Sequence, residues 1–161
     1  MSRSRKSFVW ASLLLLCGSL FIAGCQRRST AQGRLRAMDA NLESLRQVPG
    51  RLEAPDGTGS PFTAYFQQMD LQVVEELPKE GGTVRNRYYY LDGSLFFYRQ
   101  FDDTRLARQF SVDKKGKTWN AEPTPVTEEE VKLIAGRAEA LKAAAVSRAG
   151  NMFVFPLMRV K

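Results

Sequence analysis

Residues 84–101 read VRNRYYYLDGSLFFYRQF, two aromatic runs joined by Asp92-Gly93. Asp and Gly tolerate the positive φ that both centres of a primed two-residue turn require, so the stretch predicts a β-hairpin of Val84–Leu91 with Ser94–Phe101. An uninterrupted ladder pairs Tyr90 with Leu95, Tyr88 with Phe97 and Val84 with Phe101 on one face. Tyr89, Leu91, Phe96 and Tyr98 then fall on the other face, beside Arg85 and Arg87.

The same period-two reading extends in both directions. Asp102-Asp103-Thr104 turns the chain into Arg105–Val112, where Leu106, Phe110 and Val112 alternate with Arg105, Gln109 and Ser111. Asp113-Lys114-Lys115-Gly116 turns it again into Lys117–Asn120, which carries Trp119. Before the hairpin, Leu71–Leu77 alternates Leu71, Val73 and Leu77 with Gln72 and Glu76. Pro123 and Pro125 end this meander, because proline cannot donate to a ladder. Thr127 and Glu130 then have the spacing of a capping box, with Glu128 and Glu129 complementing the helix dipole. A helix to about Ala149 would bury Val131, Ile134, Ala138, Leu141 and Ala145, with Gly150 as its C-cap. Asn151–Lys161 is mostly apolar and predicts a last strand at an edge, since it contains Pro156.

On the N-terminal side, Leu35, Met38, Leu42 and Leu45 recur at helical steps between Arg34 and Val48, and Pro49-Gly50 predicts the stop. Residues 49–60 read as a loop. Ser60-Pro61 has the pattern of an N-cap followed by a first-turn proline, predicting a short helix that shares Phe62, Tyr65, Phe66 and Met69 on one face. The expected fold is α+β: an antiparallel meander of about four to six strands packed by a C-terminal helix, with a shorter N-terminal helix, all within one domain of residues 34–161.

The start of the chain is of another kind. Arg3, Arg5 and Lys6 precede an apolar run from Phe8 to Ile22, which ends in Ile22-Ala23-Gly24-Cys25. The run is about fifteen residues, short of the roughly twenty that a permanent membrane helix needs, and has the layout of a secretory signal. With cysteine placed directly after Ala23-Gly24, it resembles the signal peptides of bacterial lipoproteins. That resemblance implies removal of residues 1–24, a diacylglycerol thioether on Cys25, and acylation of the new amino terminus with a palmitate-like chain. Residues 25–33 would form the lipidated tether. Gln26, standing where aspartate would signal inner-membrane retention, implies an outer-membrane destination facing the periplasm. Each buried methylene is worth about 0.8 kcal/mol, and two or more chains hold a protein stably on a bilayer.

Composition narrows the function. Three of the 24 basic residues lie in the leader, so the formal charge falls from +7 to +4 on its removal, and nucleic acid is not an expected partner. The sequence has two cysteines. Cys17 leaves with the signal and Cys25 is consumed by lipid, so no disulfide is expected. There is no histidine, which removes Ser-His and Cys-His nucleophiles and the ordinary zinc sites. No metal or cofactor is expected. Asp92, Asp102, Asp103 and Asp113 fall in turns, Glu75-Glu76 at a strand edge and Glu128–Glu130 at a helix start, so acid–base catalysis gains no support and the chain reads as non-enzymatic.

Tyr90, Gly93 and Leu95 fit a Tyr-x-x-Gly-x-Leu spacing that resembles MORN-like hairpin-repeat proteins. The turns after Phe101 depart from that pattern, and the resemblance implies hairpins without an activity. The aromatic and basic sheet is the candidate working surface: Arg85, Arg87, Tyr89, Tyr98 and Arg99 would meet a glycan, a lipid A phosphate or an envelope protein on a face left open, unless the termini wrap over that face and bury it. The expected function is a tethered binding or assembly module of the cell envelope. The alternative is a carrier or sensor of a small lipid or glycan fragment, which a concave pocket would favour over a flat surface.

Overall fold

The structure, a computed structural model, describes residues 32–53, 59–78, 81–113, 115–123 and 125–154. The expected signal peptide and Cys25 lie outside these residues, as do 26–31 of the tether. The chain divides into two compact units between Ala40 and Asn41. A helix (α1, residues 32–41), which falls in the first unit but for its last residue, begins two residues before the predicted start.

The second unit opens with a 3-10 turn, Leu42–Ser44, and continues as seven strands and one helix. The strands are β1 (Arg46–Glu53), β2 (Gly59–Gln67), β3 (Asp70–Glu76), β4 (Val84–Leu91), β5 (Ser94–Asp102), β6 (Arg105–Val112) and β7 (Thr118–Glu122). They form one antiparallel sheet in chain order, closed by α2 (Glu128–Val154). The α+β class and the meander are therefore as the sequence indicates.

Three segments differ from expectation. Pro49-Gly50 does not stop a helix; it lies inside β1, with Pro49 opposite Thr63 and Gly50 opposite Phe62. Proline is tolerated there because β1 is an edge strand, whose outward N–H groups have no ladder to join. Gly50 is required for another reason: a Cβ would run into the Phe62 ring. Ser60-Pro61 does not cap a helix either. Phe62, Ala64 and Phe66 alternate as buried residues of β2, and Met69 is exposed in the turn that follows. At the other end α2 passes through Gly150 to Val154, so residues 151–154 are helical rather than a strand. Residues 155–161 lie outside the described part.

The tight turns are as chemistry demands. Asp92 and Gly93 both have positive φ (52° and 73°), the primed geometry that follows strand twist. In the β6–β7 turn the Asp113 carboxylate accepts from the backbone N–H groups of Lys115 and Lys117, each at 2.8 Å.

α2 covers one face of the sheet. Val131, Ala138, Leu141, Ala145 and Ala149 are buried against a cluster that includes Val48, Phe62, Val74, Tyr90 and Phe110. Full burial of a side chain such as Leu141 is worth about 1.5–3 kcal/mol. The capping box forms as read: Thr127 N–H donates to Glu130 at 2.8 Å and Glu130 N–H to Thr127 Oγ1 at 3.2 Å. Polar ties fix the helix along its length. Tyr90 donates to the Ala138 carbonyl at 2.7 Å, and Lys142 donates to the Gly93 carbonyl at 2.8 Å, clamping the hairpin turn to α2.

Candidate functional site

The hairpin ladder is not uninterrupted. Tyr90 pairs with Leu95, but the next pairs are Tyr89 with Phe97 and Tyr88 with Tyr98. A bulge at Phe96 inserts one residue and exchanges the faces of everything after it on β5. Of the five surface residues expected to act together, Arg85, Arg87, Tyr89 and Arg99 share the face opposite α2. Tyr98 is turned to the helix side, where its ring packs against Tyr88 at 5.4 Å and Phe110 at 5.1 Å between centroids.

The face opposite α2 is not an open aromatic plate. Tyr89 is 0% and Phe97 4% exposed, with Phe96 and Phe97 edge-on or tilted around the Tyr89 ring. The Arg99 guanidinium lies over Tyr89 at 5.8 Å and over Phe97 at 5.5 Å. Arg85 and Arg87 lie over Phe101 and converge on one carboxylate, Glu75: Arg87 Nε donates at 3.1 Å and Arg85 Nη1 at 3.4 Å. Tyr65 donates to the other oxygen at 3.2 Å. Burial and then the Glu75 charge push the Tyr65 hydroxyl above its ordinary pKa. These arginines are spent largely on holding a buried Glu75 within the sheet.

Glu76 is the residue that the sequence reading underrated. It is 8% exposed, not an edge residue facing water, and it projects toward α2. Tyr88 donates to its Oε2 at 3.1 Å and Arg137 of α2 donates to its Oε1. The Glu76 hydrogen bond comes first among the effects that raise the Arg137 pKa. Burial, then Glu76, drives the Tyr88 hydroxyl far above its usual range. A strand glutamate beside another glutamate gives no hint of a helix arginine 61 residues away; only the packing of α2 supplies it.

Around Glu76, between the sheet and α2, lies a pocket of about 630 Å³. Glu76, Asn86, Tyr88, Tyr98, Gln100 and Arg108 line its sheet side. Tyr98 donates to Asn86 Oδ1 at 2.8 Å, and burial pushes its hydroxyl up to about 12. On the helix side are Glu130, Leu133, Gly136, Arg137 and Ala140. Arg108 meets Glu130 in a bidentate pair, both contacts at 3.0 Å, and these hydrogen bonds, joined by those from Thr127, hold the Glu130 carboxyl down at about 2. The Arg108 Nε is buried without an acceptor among the described residues.

The pocket therefore has four charged groups in two compensated pairs, two neutral tyrosines and two amides. It can bind and orient. Among the described residues no group of three or more His, Cys, Asp or Glu is placed to hold a metal ion, and no helix is long and apolar enough to cross a membrane. Comparison of the chain with protein-family models, with curated proteins and with solved structures finds no match, so the reading of this site rests on its own geometry.

Proposed function

We propose that this chain is a lipid-anchored binding module of the bacterial envelope, tethered through Cys25 at the periplasmic face of the outer membrane, and that it works by holding a small ligand in the pocket between the sheet and α2. The observation that carries the ligand side is the pocket itself: about 630 Å³, inside the range of about 300–1,000 Å³ common to small-molecule sites, with convergent polar groups on an aromatic floor. The lipoprotein-type leader supports the anchor. Of the two readings of the sequence, assembly with a protein and carriage of a small ligand, burial favours the second. Tyr89 and Phe97 are enclosed and Tyr98 faces the other way, which takes the broad aromatic surface away from a protein partner.

Binding without catalysis is favoured by the state of the two pocket carboxylates. Glu130 stays ionised far below neutral pH beside Arg108, which suits an ion pair and not a proton donor. Both Glu76 oxygens already accept hydrogen bonds.

The test has two arms on the full-length protein expressed in a bacterium. Cys25→Ser should leave an uncleaved precursor without palmitate label; normal labelling of that variant overturns the anchor. Native mass spectrometry of the wild-type protein, released in mild detergent, should show a small-molecule adduct that is lost when Gly136→Trp fills the pocket. A protein partner crosslinked through Arg85 and Arg87, with no adduct, would restore the assembly reading and overturn the ligand reading.

A further inference from the structure

Gly136 is in the interior of α2, where glycine costs about 1 kcal/mol relative to alanine. Nothing among the described residues asks for it: φ is not positive, and a Cβ built there meets none of their atoms within 4 Å. Gly136 lines the pocket, and one turn further on Ala140 lines it too. Small side chains at these two positions leave the helix wall of the pocket low, which keeps space for something other than the chain's own atoms.

The polar groups indicate what that is. Glu76 is matched by Arg137 and Glu130 by Arg108, so the lining carries no formal net charge, and an anion or a cation would have to break a formed pair to be neutralised. Hydrogen-bonding capacity remains in the Arg108 Nε–H, which has no acceptor among the described residues, and in uncharged groups. Gln100 lines the pocket and has no side-chain hydrogen bond among the described residues, so its amide offers both a donor and an acceptor. Asn86 accepts from Tyr98 through its oxygen, leaving its NH₂ as donor. Tyr88 and Tyr98 donate inward to Glu76 and Asn86, so their oxygens keep lone pairs to accept. Beside these polar atoms stand the two tyrosine rings and Leu133, 77% exposed. Alternating donors and acceptors next to an apolar surface match a molecule with hydroxyl or amide groups around its edge and C–H groups on its faces.

We propose that the pocket takes an uncharged sugar ring, with Gln100 and Asn86 reading its hydroxyl or acetamido groups and Gly136 giving it room. This inference rests on the reading of the pocket as the working site. The test is saturation-transfer NMR on the full-length lipoprotein in a non-glycosidic detergent, with N,N′-diacetylchitobiose, decanoate and inorganic phosphate as separate probes. Diacetylchitobiose should give ring-proton signals that disappear in Gly136→Trp and fall several-fold in Gln100→Leu. Gly136→Ala, which puts a methyl group into the space the ring needs, should weaken them while melting higher than the wild type. If Gly136→Trp does not fold, Gln100→Leu decides alone: undiminished signals overturn the proposal. Signals from decanoate or phosphate but none from the disaccharide, lost on filling the pocket, would overturn the sugar assignment and leave the pocket as the working site. Binding of no probe together with no native adduct would overturn both readings.

Discussion

Glu75 and Glu76 are neighbours on β3, point to opposite faces of one sheet, and are both buried beside arginine and tyrosine. Their partners come from different distances. Glu75 is held by Tyr65, Arg85 and Arg87, all from the strands that flank β3. Glu76 takes Tyr88 from β4 but also Arg137 from α2. The first cluster is therefore a property of the sheet and is assembled by register alone. The second exists only when the helix docks, and docking also creates the pocket. Stability and the proposed ligand binding are coupled on the helix face, while the Glu75 cluster bears on stability alone.

That contrast is open to direct attack. The largest effect is expected from Leu141→Asp, which places a charge without a partner at a fully buried position of α2. Cooperative unfolding should be lost, and a native-like melting transition would show that the helix is not the sheet's cover. Next are the two carboxylates. Glu75→Ala removes the carboxylate shared by two half-buried guanidinium groups and a phenol; because Arg85 keeps its bond to the Asp103 carbonyl and Arg85 and Arg87 keep 33% and 23% exposure, the cost should lie toward the lower end of the about 3–5 kcal/mol typical of a broken buried pair. Glu76→Ala frees one arginine that is 34% exposed and leaves the Tyr88 hydroxyl to find water, at about 1–3 kcal/mol. Urea midpoints with unchanged slopes measure both. The reverse order would mean that α2, not the sheet, carries most of the electrostatic stabilisation.

The same contrast governs what could be read from the chain. Asp92-Gly93 encodes its turn within two residues, so the hairpin and the meander were legible. The 62–69 segment was not, because Phe62 and Phe66 satisfy a helical step of four and a strand step of two equally well. Pairing with β1 and β3 decides between them, and no local residue does. Pro49-Gly50 misleads for a related reason: a helix breaker is also acceptable in an edge strand, and edge position is a tertiary fact. The bulge at Phe96 has no distinctive residue either, yet it moves Tyr98 from the arginine face to the pocket. Arg85 and Arg87, spaced by two, were legible as neighbours on one strand face, but their shared ion pair with Glu75 was not, since it depends on the β3–β4 register. Nor was the pair of Arg137 with Glu76, since nothing in either segment names the other.

pH sharpens the comparison with smaller effects. Tyr88, Tyr90 and Tyr98 on the helix face all have hydroxyls pushed upward, first by burial, with Tyr98 at about 12. An acid whose folded pKa is raised binds more protons folded than unfolded once pH passes the unfolded value of 10, so stability is complete below pH 10 and falls as pH rises above it. Tyr90→Phe should cost about 1 kcal/mol at neutral pH, through the lost bond to Ala138, and should make the alkaline decline shallower. An unchanged alkaline slope would mean that Tyr90 is not enclosed by α2.

The smallest effect is expected at the acid end, from the pair at the pocket rim. Glu130 has its pKa lowered from 4.5 to about 2, chiefly by its hydrogen bonds from Arg108. A depressed carboxylate contributes stability that is fully present above its unfolded pKa and lost as pH falls through the folded one, here between about 4.5 and 2. Glu130 is partly solvent-exposed, which keeps the contribution small. Glu130→Gln should flatten the acid limb of a melting-temperature profile while leaving the alkaline limb, set by the buried tyrosines, where it was. If both limbs moved together, the Arg108–Glu130 pair would be part of the helix's docking and not only of its rim, and the division between a self-contained sheet cluster and a helix-dependent one would then run along the whole of α2.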